Sequence, residues 1–151
     1  MRIPIYQIDA FSSQPFKGNP AAVCPLKEWL PDEVMQSIAM ENNLSETAFF
    51  IKNEDQYDIR WFAPKIEIDL AGHPTLATAH VIFNEMNHQG DSITFNSKIG
   101  DTLDITRNKD IISMNFPSRP PKKIYKKELI EEAIGVEAVS YTHLTLPTME
   151  L

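Results

Sequence analysis

Three short segments carry residue types that can hold or move a proton. The first is Asn43-Leu44-Ser45-Glu46-Thr47-Ala48-Phe49-Phe50. Polar residues precede Glu46 and an apolar run follows it, so it stands where a helix hands over to a strand. A carboxyl at the mouth of an apolar strand loses part of its water, which favours its protonated form. A proton shuttle needs a carboxyl tuned in that way. The spacing fits equally well a surface glutamate, or a carboxylate that accepts from a nearby backbone N–H.

The second segment is Asp69-Leu70-Ala71-Gly72-His73-Pro74-Thr75. Gly72 lets a ligand come close to the backbone. The helix that follows points its first N–H groups at whatever lies above Gly72 and His73, which suits a carboxylate or phosphate. His73 can donate to that anion or assist proton transfer. A plain glycine turn and helix start is the competing reading. It leaves the donors of a buried helix end without partners. The third segment is Gly18-Asn19-Pro20. Its Asn19 amide can bind a substrate or simply hold a turn.

Other reactive residue types offer less. His80 lies seven residues beyond His73, two turns along one helix, and reads as a core histidine with one hydrogen bond. No His-Glu-x-x-His or paired cysteines are present, so a metal centre built from His73, Asp69 and Glu46 is disfavoured. Cys24 has no charged neighbour in sequence and reads as a small core residue. No Gly-x-Ser-x-Gly elbow occurs.

The elements that must position these groups can be read from periodicity. Strands are expected at Ile3–Phe11, Ala21–Cys24, Thr47–Ile51 and Tyr57–Phe62, the last two as antiparallel partners across an Asn53-Glu54-Asp55 turn. Ile66, Ile68 and Leu70 alternate with polar residues. Pro31 opens a helix that ends at Asn42 and Asn43. A second helix runs from Gly72 to about Glu85, with so few polar positions that it should be buried on all sides. Three more strands follow at Ser92–Asn96, Thr102–Thr106 and Ile111–Phe116, with Asn108-Lys109-Asp110 as a hairpin turn. No βαβ alternation is evident. The fold class expected is α+β, with antiparallel or mixed strands wrapped round one buried central helix.

The 151 residues carry 21 acidic and 14 basic side chains and a net charge of −7, which disfavours nucleic acid as a partner. The single cysteine permits no internal disulfide. No apolar run is long enough for a signal peptide core or a membrane span. A cytoplasmic protein is the expectation.

Five blocks in order, Tyr6–Phe11, Phe16–Val23, Asn43–Phe49, Arg60–Pro64 and Glu67–Ala77, resemble the phenazine-biosynthesis isomerase family, often called PhzF-like. The resemblance covers about residues 1–135. It implies the diaminopimelate-epimerase type of fold, in which two similar halves enclose a cleft. It also implies cofactor-free and metal-free proton transfer on a small carboxylate, with Glu46 as the shuttle. Gly72 and His73, with Asn19 and Ser45, would then lie beside the substrate. The alternative is a non-enzymatic small-anion binding module. A homodimer is a further expectation by analogy with such folds.

On this reading residues 1–117 form the first epimerase-like domain. Residues 118–138 form a linker and the start of a second half, with a short helix at Lys126–Ile134 and a lysine-rich solvated face. Val139 to Thr148 resembles translated sequencing-adapter sequence, so residues 139–151 are read as a non-native tail. One wall of the cleft would then be missing and activity low.

Overall fold

The computed structural model describes residues 2–120. The expected helix at Lys126–Ile134, the lysine cluster around it and the terminal tail lie outside the described residues. Residues 1–117 fall in one compact unit.

Eight strands form one curled sheet: β1 (Tyr6–Ala10), β2 (Asn19–Leu26), β3 (Glu46–Asn53), β4 (Gln56–Phe62), β5 (Glu67–Ile68), β6 (Ser92–Ser97), β7 (Thr102–Asn108) and β8 (Ile111–Asn115). Their order is β1-β2-β3-β4-β6-β7-β8, and the short β5 also pairs with β4. Strand β4 therefore forks, with β6 beside Tyr57–Ile59 and β5 beside Trp61 and Phe62. Helix α1 (Asp32–Asn42) lies between β2 and β3 in sequence, and helix α2 (Gly72–His80) between β5 and β6. Beyond His80 the helix widens into a π-type turn, Val81–Glu85.

The sheet has apolar side chains on both faces. One face, with Val23, Ala48, Phe50, Ile59, Trp61, Phe95 and Ile105, closes on Ala77, Ala79, Val81 and Ile82 of the central helix. Each large side chain buried there contributes roughly 1.5–3 kcal/mol. The other face packs Cys24, Phe49 and Phe62 against Met35 and Ala39 of α1. Pro31 precedes α1, Asp32 and Glu33 occupy its first turn, and Asn43 closes it in the left-handed conformation at φ 51°. Strands round a buried helix are thus the architecture that the periodicity leads one to expect.

Three expectations need correction. Strands β2 and β3 are parallel with α1 as their crossover, and β4 and β6 are parallel across α2, so βαβ units are present. Pro20 and Pro25 at the two ends of β2 disguise its length in the sequence. Helix α2 is buried from Pro74 to Ala79 as expected, but its ends are not. Gly72 and His80 are exposed, while Leu76, four residues from each, is 8% exposed and lines an open cleft with His80 between β1 and β8. His80 is therefore a surface residue, bonded to Asn84 Nδ2 through Nδ1 at 3.0 Å, and not a core histidine. The first strand is also shorter than expected, because residues 3–5 pair with nothing in the sheet. The β7–β8 hairpin forms as read, with Asn108 opposite Ile111 and Lys109 at φ 56°. Cys24 is buried, and desolvation pushes its thiol up to about 12, which leaves it inert.

Candidate active site

Glu46 is the first residue of β3 and lies opposite Ala21 of β2. That register brings Asn19 and Pro20, at the head of β2, against Ser45 and Glu46. The junction behind them is fixed by the left-handed cap at Asn43 and by Asn42 Nδ2 donating to Thr47 Oγ1 at 3.1 Å. Gly18 is required just before Asn19. A Cβ there would strike the Ala10 carbonyl oxygen and come within 2.8 Å of the Asp9 carbonyl carbon.

Helix α2 supplies the opposite side. Its N-cap is Ala71, in extended conformation and without a side-chain capping bond. Pro74 has no N–H, so Gly72 and His73 carry the free donors of the first turn. Thr75 Oγ1 turns back to the Ala71 carbonyl rather than forward. Gly72 has negative or extended φ, and a Cβ built on it meets nothing within 4 Å. Neither backbone strain nor packing among the described residues demands glycine at this position.

The two sides meet at His73. Its Nε2 lies 3.2 Å from Glu46 Oε2 and 3.3 Å from Ser45 Oγ. The Ser45 hydroxyl faces Asn19 Oδ1 at 3.5 Å and the Pro20 carbonyl at 3.4 Å, and both can only accept. Which of Nε2 and Ser45 Oγ donates across their 3.3 Å contact follows from the imidazole tautomer. Burial pushes the His73 pKa below its usual 6.5, while the Glu46 carboxylate and the Pro20 carbonyl pull it upward. Desolvation is the larger influence, so the ring is neutral near pH 7.

Glu46 Oε2 is fully buried and makes no aligned hydrogen bond, although His73 is at ion-pair distance. The Glu46 side chain as a whole keeps 19% exposure. One carboxylate oxygen is thus turned inward while the group keeps part of its surface in contact with solvent. Glu46, His73, Ser45 and Asn19 form one cluster, and Gly72 adjoins it through His73. Asp69 does not join them. It lines a neighbouring cleft with Trp61, Glu67, Ile68 and Lys98. Among the described residues no three His, Cys, Asp or Glu side chains converge as metal ligands.

Trp61 escapes notice in the sequence. Its Nε1, like Glu46 Oε2, is buried without a hydrogen-bond partner. An aromatic in a strand reads as core, and only its place opposite the small Ala48 hints at room beside Glu46.

Comparison with known proteins adds a family. Residues 8–147 match the family described as phenazine biosynthesis-like protein. An uncharacterized isomerase of Pseudomonas aeruginosa is 45% identical over 136 residues, which is 90% of this chain and 52% of that protein. The mouse phenazine biosynthesis-like domain-containing protein 1 is 38% identical over 162 residues, 100% of this chain and 56% of its own length. The crystal structure of an Enterococcus faecalis phenazine biosynthesis protein of the PhzF family superposes with a TM-score of 0.77 at 47% identity, over 89% of this chain and 52% of that one. A predicted epimerase of known structure from Pseudomonas aeruginosa shares the fold at 21% identity with a TM-score of 0.68. The chain spans about half the length of the curated relatives it matches. Among the described residues no helix is long and apolar enough to cross a membrane.

Proposed function

The chain belongs to the phenazine biosynthesis-like family, and from that premise we propose that it forms one wall of an isomerase site acting on a small carboxylate. Glu46 removes a proton from one carbon of the substrate and returns it to another. No cofactor is needed, because the transfer is internally balanced. The C–H bond breaks toward Glu46, and the electron pair moves along the unsaturated system toward the substrate carboxyl. A new C–H bond forms from the same Glu46 proton.

The observation that carries this reading is the Glu46 carboxylate, with one oxygen buried and unbonded 3.2 Å from His73, beside an uncapped helix start. The N–H groups of Gly72 and His73 would hold the substrate carboxylate, where charge builds up as the proton leaves. Neutral His73 keeps Glu46 in place, Ser45 holds the His73 ring, and Asn19 orients Ser45. The names of the bacterial relatives as isomerases support the reaction class.

The test is solvent deuterium incorporation into a panel of small unsaturated and amino carboxylates, using the chain extended to its relatives' length. Glu46→Gln should abolish exchange and leave carboxylate binding intact. Exchange that persists in Glu46→Gln would assign the acid/base role elsewhere. Binding without exchange in the unaltered protein would favour a small-anion binding module.

A further inference from the structure

Two buried side-chain polar atoms lack a partner among the described residues, Glu46 Oε2 and Trp61 Nε1. They are an acceptor and a donor, and the strand register places them on the same side of the sheet. Thr47 faces Phe62 and Ala48 faces Trp61 across the β3–β4 pair. Side chains alternate along a strand, so Glu46, Ala48 and Phe50 share a face, as do Trp61, Ile59 and Tyr57. That common face is the one closed by the central helix. Glu46 and Trp61 are diagonal neighbours on it, a relation that spans about 7–8 Å or less and is within reach of an indole. Ala48 between them is too small to block the way.

An indole N–H buried without an acceptor is destabilising, and a carboxylate oxygen without an aligned donor is more so because it shares a charge. One water molecule relieves both, since it accepts from the indole and donates to the carboxylate. Two polar partners meet the minimum for an ordered buried water. We propose that Trp61 is a positioning residue for Glu46, linked to Oε2 through one buried water. The bridge holds Oε2 inward, so that the other carboxylate oxygen faces the substrate. The proposal rests on the reading of Glu46 as the acid/base. It adds a residue that touches no substrate and acts through Glu46.

Other titratable groups stand near the pair. His73 faces Glu46 from α2. Glu67, Asp69 and Lys98 share the cleft that Trp61 lines. A change confined to Glu46 separates its influence from theirs.

The experiment is ¹H–¹⁵N NMR of the two indole groups, Trp29 and Trp61, in the chain as it stands. Glu46→Gln removes the charge that strengthens the bridge. Glu46→Asp draws the carboxylate back from it and serves as a second variant should the first fail to fold. The Trp61 indole resonance should shift in either variant, while Trp29, which stacks with Arg60 on the other face, stays in place. The Trp61 indole proton should also show a cross-peak to a long-lived water in the unaltered chain, lost in the variants. An unmoved Trp61 resonance overturns the link, and a shift without the water cross-peak overturns the bridge. Neither result bears on whether Glu46 transfers the substrate proton, which the deuterium experiment decides separately.

Discussion

At the scale of single residues, the site depends on what each side chain can and cannot reach. Gly72 is the sharpest case, because a Cβ there meets open space. Gly72→Ala should leave thermal stability unchanged or raise it by up to about 1 kcal/mol, alanine being the better helix former. It should weaken carboxylate binding if a ligand approaches the backbone at that point. Calorimetry paired with a binding titration separates the two effects. His73 makes a prediction about pH. Its folded-state pKa lies below the unfolded value of 6.5 because of burial. Between those two values the unfolded chain binds the extra proton, so stability is full above about pH 6.5 and declines as pH falls through the folded pKa. Urea midpoints measured from pH 7.5 to 5 should show this decline, and His73→Gln should flatten it. Glu46, His73 and Asn19 stand out in the sequence as residue types and Ser45 through the family resemblance, and the structure brings the four side chains together. Trp61 was not legible there, since nothing in a strand's composition says which buried polar atom lacks a partner.

At the scale of elements, the strands deliver the site and a polar network ties the sheet to α1. Arg60, buried in β4, donates from Nε to Glu67 at 2.7 Å and from Nη1 to Asp32 of α1 at 2.9 Å, and its guanidinium stacks on Trp29 and Phe62. Arg60→Met leaves Glu67 with Lys98 alone and should cost about 2 kcal/mol. The Arg60 hydrogen bond, ahead of Lys98, holds the Glu67 carboxyl below its usual 4.5. Its contribution to stability is therefore present above that value and lost as pH falls through the depressed pKa. The gap in stability between Arg60→Met and the unaltered chain should narrow on acidification, as denaturation at pH 7 and pH 3 would reveal. Gly18→Ala pushes a methyl into the Ala10 carbonyl and should cost about 2 kcal/mol or more. Most of these elements could be read from periodicity. The parallel crossovers could not, because alternation marks a strand without naming its neighbour, and prolines at both ends of β2 hid its extent. The exposure of His80 at the end of α2 was also hidden, because a single polar residue in an apolar helix reads as readily as a satisfied core residue.

At the scale of the molecule, the fold presents the head of α2 and the start of β3 together. The unit of residues 1–117 builds the Glu46–His73 cluster from its own strands and helix. Its relatives are about twice as long. We propose that the remaining length supplies the facing wall, which excludes water from Glu46 and the bound carboxylate. The chain as it stands should then bind small carboxylates weakly and exchange their protons slowly. The extended protein should do both better. The measurement that bears most directly on the central claim is deuterium incorporation into a bound small carboxylate in D₂O, followed by NMR in the extended protein with and without Glu46→Gln. The account predicts exchange at a specific carbon that disappears in the variant while binding remains. Exchange at an undiminished rate in Glu46→Gln would contradict it.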